Sequence, residues 1–289
     1  MSTAKIIERK LIKLNETQTK MVISGWSKDV FENSVVEKIT YISDGLRVKG
    51  FIAYPEDTSK KYPCIIWNRG GGGNKGAIDE FTARGIYGQL ACWGYVVFAS
   101  QYRGNAGGEG KEEFGGKDVN DILNLIPLAD EIPSADKSKW GIEGWSRGGM
   151  MTYLTLKRNH NFKCAVLVGA ISDLKQNSVD NPEMLKNYKA LIGEEYFSEL
   201  TPIKSGEEKL LERSAVNFAE QLPSIPYLII HGGKDEIVSP IQSIRMAEKF
   251  RELGYEHKLV ILDGGDHYLK KHRKKVDKLR RVWYEKYLG

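Results

Sequence analysis

Long apolar runs are missing from this 289-residue chain. No stretch approaches the roughly 18 consecutive apolar residues of a membrane span, and residues 1–13 mix lysine, glutamate and isoleucine without the apolar centre of a secretory signal. The expectation is a cytoplasmic protein with no membrane partner. Cysteine is scarce: Cys64, Cys92 and Cys164 are odd in number, sit in or beside apolar runs and form no close pair, which excludes a disulfide framework and fits free, packed thiols. Histidine is equally sparse, and His160, His257 and His272 lie among polar residues without metal-ligand spacing, so no metal and no cofactor are expected. Charge of one sign is not in large excess either. A net charge of +5, from 43 Lys+Arg against 38 Asp+Glu, is too mild and too dispersed to indicate a nucleic-acid partner. The densest basic run, residues 270–281, has Leu269, Val276, Leu279, Trp283 and Tyr287 at spacings of seven, three, four and four, the mark of an amphipathic helix with a solvated basic face rather than a phosphate site. Internal repeats and low-complexity segments are absent.

What is present is an ordinary globular composition, 41% hydrophobic and 28% charged, in a chain long enough for one large α/β domain or two small ones. Residues 1–34 are charged and carry Ile6, Ile7, Leu11 and Leu14 on one helical face, which predicts a helical arm, a candidate for contacts in a homo-oligomer. From Val35 the period changes to two. Strands over residues 36–42 and 46–54 flank the turn Ser43-Asp44-Gly45, a hairpin. Continuous apolar runs then alternate with helical patterns. Strands at 64–67, 95–99, 140–144, 165–168, 227–230 and 258–262 are separated by helices at 79–92, 118–128, 148–157 and 239–253, and a closing helix follows. Such alternation predicts a mostly parallel sheet covered on both faces, in one domain over residues 35–289. Residues 171–223 interrupt it with about fifty irregular, helical residues. Inserted at the carboxyl end of a central strand, they read as a cap.

Within this frame, Trp140-Gly141-Ile142-Glu143-Gly144-Trp145-Ser146-Arg147-Gly148-Gly149 packs a strand, a turn and a helix start around one hydroxyl. Gly144-x-Ser146-x-Gly148 between a strand and a helix is the context of a nucleophile elbow, where glycines let neighbouring backbones approach a strained serine. The motif alone is weak; partners in the right order decide it. His231-Gly232-Gly233-Lys234-Asp235 follows one buried strand and Asp263-Gly264-Gly265-Asp266-His267 the next. Reactive groups of α/β sheets gather at these carboxyl ends, so Ser146, Asp235 and His267 can converge in the chain order of α/β-hydrolases. His267 would take the serine proton and Asp235 would fix its tautomer. Asp263 and Asp266 are the alternatives to Asp235, which is favoured by its place on a strand end of its own. His231, before a tight turn, reads as structural. Charge on a tetrahedral oxygen requires backbone donors, expected from Arg147 and from Gly70 or Gly71.

The glycine loop has a rival meaning. Gly71-x-Gly73-x-x-Gly76 between a strand and a helix matches a dinucleotide fingerprint, with Arg103 placed for a 2′-phosphate, which predicts an NADP enzyme; it leaves Ser146, Asp235 and His267 without a role. A third reading is a hydrolase fold that binds a ligand without catalysis.

Taken together, Tyr102-Arg103-Gly104, Gly144-Trp145-Ser146-Arg147-Gly148-Gly149, Ile171-Ser172-Asp173, His231-Gly-Gly-Lys-Asp235-x-x-Val238 and Gly-Asp-His267 resemble the catalytic domain of the prolyl oligopeptidase family from about Leu46 onward. The resemblance implies an α/β-hydrolase fold, Ser146, Asp235 and His267 as triad, and an acyl-enzyme formed from a small ester or a short peptide. Arg103 and Asp173 match family positions that are more often structural. Two departures stand out. The residues before the hydrolase portion are too few for the β-propeller that family peptidases usually carry, and Asn68-Arg69-Gly70-Gly71 stands where relatives often place His-Gly-Gly or an oxyanion-binding tyrosine.

Overall fold

The structure, a computed structural model, describes residues 4–198 and 205–289. In chain order these form β1 (Ile6–Leu11), α1 (Glu16–Gly25), α2 (Lys28–Glu32), β2 (Ser34–Ser43), β3 (Leu46–Pro55), β4 (Tyr62–Asn68), α3 (Glu80–Cys92), β5 (Val96–Ser100), α4 (Val119–Leu123), β6 (Ala135–Trp145), α5 (Arg147–Arg158), β7 (Cys164–Val168), α6 (Leu174–Asp180), α7 (Pro182–Ile192), α8 (Gly206–Leu211), β8 (Tyr227–Gly232), α9 (Ile241–Glu252), β9 (His257–Leu262) and α10 (Arg273–Leu288). The strands make a mostly parallel sheet in the order β1-β2-β3-β5-β4-β6-β7-β8-β9. The chain is organised in two compact units. The first comprises the residues up to Trp67 with 74–111 and 120–141; the second comprises 68–73, 112–119 and the chain from Ile142 onward.

In the first unit, β2 and β3 pair antiparallel from Ser34 opposite Pro55 to Ser43 opposite Leu46. Asp44 and Gly45 both take positive φ (51° and 81°) at the turn, the backbone that matches a two-residue hairpin to the twist of its strands. The helical arm expected at the amino terminus begins differently. Ile6–Leu11 is a strand, laid antiparallel along β2 with Leu11 opposite Glu37, because the open edge of β2 supplies a ladder of backbone partners that a short, lysine-rich helix could not match. Helix starts only at Glu16, where Asn15 and Gln18 form a capping box. β4 and β5 run parallel, and all of Val96–Ser100 is buried, as continuous apolar runs require. The helix expected over 118–128 stops at Leu123: Pro127 has no N–H for the Leu123 carbonyl, and a 3₁₀ turn, Ile126–Glu131, follows.

In the second unit every residue of β7 and β8 is buried, and β9 pairs with β8 in parallel register from Tyr227 opposite His257. Burying each such Val, Leu or Ile side chain is worth about 1.5–3 kcal/mol, so these strands are the rigid base on which their carboxyl-end loops stand. Between β7 and β8 lie α6, α7 and α8, the helical segment expected over 171–223, of which residues 199–204 fall outside the described set. Tyr188 of α7 is fully buried, its hydroxyl bonded to Asn177 and its ring 5.1 Å from that of Phe114. α10 is anchored to β6: Arg280 and Tyr284 converge on Glu143 at 2.8 and 2.7 Å. Among the described residues no helix is long and apolar enough to cross a membrane.

Candidate active site

Ser146 occupies the single residue between β6 and α5, with φ 55° and ψ −122°. A non-glycine residue pays about 1–3 kcal/mol for such a backbone, and the surroundings must hold it there. They do so with three hydrogen bonds: the Ser146 N–H donates to the Val168 carbonyl (2.9 Å), and the Ser146 carbonyl accepts from Gly149 (2.9 Å) and Ile171 (3.2 Å). The flanking glycines are required by contact. A Cβ on Gly148 would lie 2.0 Å from the Asn68 carbonyl oxygen, and one on Gly144 2.1 Å from that of Gly148.

The loops after β8 and β9 bring the other two expected residues to this hydroxyl. His267 Nε2 lies 3.0 Å from Ser146 Oγ, and His267 Nδ1 lies 2.7 Å from Asp235 Oδ2. A carboxylate on Nδ1 places the proton there, which leaves Nε2 to accept from the serine hydroxyl. Asp263 and Asp266, the alternatives, are exposed on the loop, whereas the Asp235 side chain is fully buried. The other oxygen of Asp235 accepts the N–H groups of Ile237 and Val238, both at 2.9 Å. Burial by itself would raise this carboxyl, but hydrogen bonds from His231, His267 and the Val238 N–H override it and hold the group well below the ordinary carboxylate range.

His231 is the residue whose part the linear pattern understated. Fully buried, it places Nε2 2.9 Å from the Val238 carbonyl and 3.2 Å from Asp235 Oδ2, so Nε2 carries the proton, while Nδ1 accepts from Ser243 Oγ at 2.6 Å. It supports the acid from behind. Its position one residue inside the end of β8, in the same turn as Asp235, was the available signal.

The expected oxyanion donors lie on the opposite flank. Arg147 is the first residue of α5, and Gly70 is so close that a Cβ on it would stand 3.2 Å from Ser146 Cβ and 3.8 Å from Oγ. Gly71 has φ 66°, and its carbonyl accepts from Arg147 Nη1 at 2.9 Å. Arg147 is otherwise engaged with Glu112 and with Asp118 (2.8 Å), and Arg69 turns into the same cluster; neither carboxylate stands out in a glycine-rich loop sequence.

The dinucleotide reading finds no matching frame. Gly73 and Gly76 of the fingerprint lie in a 3₁₀ turn, and three residues separate Gly76 from α3, whose first turn is capped by Asp79 and carries Glu80, acidic groups where a pyrophosphate would have to sit. Arg103, buried, is committed to Asp121 (2.8 Å) and Asp44 (2.7 Å), and these carboxylates keep it charged against the cost of burial. Asp173 caps α6. Among the described residues no three His, Cys, Asp or Glu side chains are grouped as metal ligands would be.

Comparison with known proteins gives this geometry a family. The sequence profile of the prolyl oligopeptidase family, peptidase S9, matches residues 86–289. An uncharacterised peptidase of Bacillus subtilis, YtmA, is 35% identical over 216 residues, 74% of this chain and 79% of that one. Among solved structures, an acylaminoacyl peptidase in complex with Z-Gly-Gly-Phe-chloromethyl ketone superposes with a TM-score of 0.74 at 26% identity, over 89% of this chain and 42% of its own, so the present chain spans less than half of that protein. The rice cell wall degrading esterase LipA from Xanthomonas oryzae shares the fold over 98% of both chains, with a TM-score of 0.72 at 13% identity. The chain therefore has the α/β-hydrolase fold and belongs to the prolyl oligopeptidase family of serine hydrolases.

Proposed function

We propose that this protein cleaves small esters or short peptides through an acyl-enzyme on Ser146, with His267 as general base and acid and Asp235 as its orienting carboxylate. The observation that carries the reading is the continuous chain Ser146 Oγ, His267 Nε2, His267 Nδ1, Asp235 Oδ2, with links of 3.0 and 2.7 Å. Ser146 Oγ attacks the substrate carbonyl carbon as its proton passes to His267 Nε2. The tetrahedral intermediate expels the leaving alkoxide or amine, which takes that proton, and Ser146 is left acylated. Water then repeats the sequence in reverse and releases the acid. Asp235 stabilises the transient imidazolium and stays ionised because its carboxyl is already held low.

Both bond types are kept in the proposal because a peptidase by name, YtmA, and an esterase by name, LipA, are among the similar proteins. The restriction to small substrates rests on the expectation of a cap over residues 171–223; a cavity of about 360 Å³ lies beside Asp235, walled by Gln176 and Asp180 of α6, Asn181, Glu236, Ser239 and Arg245, but neither Ser146 nor His267 lines it. The test is a fluorophosphonate probe with the adduct mapped by mass spectrometry. Labelling at Ser146, absent in Ser146→Ala and slowed at least about a hundredfold in His267→Ala, is expected. A folded protein that resists the probe and turns over neither p-nitrophenyl esters nor aminoacyl amides would instead be a binding protein on a hydrolase fold.

A further inference from the structure

Four charged side chains are buried together beside the nucleophile: Arg69 and Asp118 fully, Arg147 at 1% exposure and Glu112 at 5%. Arg69 and Arg147 face Glu112 and Asp118 here, with Arg213 also near Asp118, yet an apolar cluster of the same volume often serves stability as well or better, so the arrangement calls for another reason. Its contacts supply one, because they converge on the glycine loop. Arg69 Nη1 donates to the Gly70 carbonyl at 3.2 Å and Arg69 Nη2 to that of Gly73 at 3.5 Å. Arg147 Nη1 donates to the Gly71 carbonyl at 2.9 Å. Glu112 closes the circuit: Oε1 meets Arg147 Nη1, while Oε2 accepts the Gly73 N–H at 3.0 Å and lies 3.9 Å from Arg69 Nη2.

Peptide planarity turns these carbonyl contacts into a statement about N–H groups. In a trans peptide the carbonyl of one residue and the N–H of the next point opposite ways. With the Gly70 carbonyl drawn to Arg69, the Gly71 N–H faces away from the clamp, from a peptide whose Gly70 borders Ser146 Oγ. The Arg69 carbonyl, by contrast, is turned toward Gly148 of α5, 2.9 Å from where a Cβ there would stand, which directs the Gly70 N–H away from that helix. One carboxylate thus ties together the two backbone segments expected to bind the oxyanion: the start of α5, through Arg147, and the glycine loop.

We propose that Glu112 is a positioning residue that, through Arg147 and Arg69, sets the oxyanion-binding loop and orients the Gly71 N–H as the second donor beside the N–H of Arg147. The inference rests on Ser146 acting as the nucleophile. It also accounts for the arginine at position 69: the side chain holds the loop from within.

The experiment is a stopped-flow p-nitrophenol burst with p-nitrophenyl acetate on the full chain, wild type and Glu112→Gln, with melting temperature measured alongside. Burst amplitude counts competent sites, and the substrate-concentration dependence of the burst rate separates the acylation rate constant from substrate Kd. Expected for Glu112→Gln is a loss of about a hundred- to a thousandfold in the acylation rate constant, the scale of a lost oxyanion donor, with Kd within about twofold. A smaller amplitude at an unchanged rate constant would mean that Glu112 only holds the fold, and a raised Kd at an unchanged rate constant that it serves binding; either overturns the proposal. If Glu112→Gln does not fold, Arg69→Lys, which keeps the charge but cannot reach both carbonyls, is expected to slow acylation at least about tenfold, and an unchanged rate constant there overturns it equally. A wild-type protein with neither burst nor Ser146 labelling would sink the hydrolase reading itself, whereas a normal wild-type burst with an unimpaired variant would remove Glu112 alone.

Discussion

His231 Nε2 stands 3.2 Å from Asp235 Oδ2, the same oxygen that meets His267 Nδ1 at 2.7 Å. One buried carboxylate oxygen is therefore shared by two imidazoles with different duties: His231 fixes the acid, and the acid orients His267.

The first prediction follows from the depressed carboxyl of Asp235. A group whose folded pKa lies below its unfolded value adds stability above the unfolded value, about 3.9 for aspartate, and loses it as pH falls toward the folded one. In urea unfolding, Asp235→Asn should be less stable than wild type at pH 5 to 7, and the loss of the carboxylate's own contribution should make the difference shrink below about pH 4. A gap of equal size at pH 6 and pH 2.5 would contradict the assignment.

Ser146 stores backbone strain at φ 55°. Glycine adopts this region without penalty, so Ser146→Gly should abolish acylation and yet raise stability by about 1 kcal/mol, a net of strain relieved against added unfolded-state entropy. Chemical denaturation decides it: a variant no more stable than wild type would show that the elbow is not strained.

Glycines that look alike in the sequence should respond differently. Gly148→Ala drives a methyl to 2.0 Å from the Asn68 carbonyl oxygen and should prevent soluble expression or cost more than about 4 kcal/mol. Gly264→Ala, at φ 65° with open space around it, should cost only the backbone penalty of about 1–2 kcal/mol. Equal melting temperatures for the two variants would refute the contact argument.

The Glu143–Arg280 pair, 2.8 Å apart with both side chains buried, should obey the asymmetry of buried charges. Arg280→Met alone leaves the buried carboxylate without its cation, held only by the Tyr284 and Trp145 hydrogen bonds, and should cost about 3–5 kcal/mol, while Glu143→Leu combined with Arg280→Met should recover part of that loss. A double-mutant cycle measures it, and additive losses would argue against the pairing.

The order of elements could be read directly from the chain because it is written in local periodicity. The hairpin around Asp44-Gly45, the buried run before Asn68, the Ser146 elbow and the strand ends carrying Asp235 and His267 each declare themselves within a few residues. That Ser146, His267 and one of the loop aspartates should meet needed only one topological rule, that parallel strands present their carboxyl ends to a common side. Tertiary structure decided the rest. Ile6–Leu11 is a strand because the edge of β2 was open to it, a partner 25 or more residues away in the chain. Asp235 rather than Asp263 or Asp266 faces His267 because only its side chain turns into the buried interior, which a sequence of loop residues does not encode locally. Glu112 and Asp118 lie about thirty residues before Arg147 in a loop without periodicity, and Arg69 nearly eighty before it. Their joint hold on Gly70 and Gly71 is a property of packing alone, since buried ion pairs and backbone carbonyls find one another through the fold and leave no spacing in the chain to mark them.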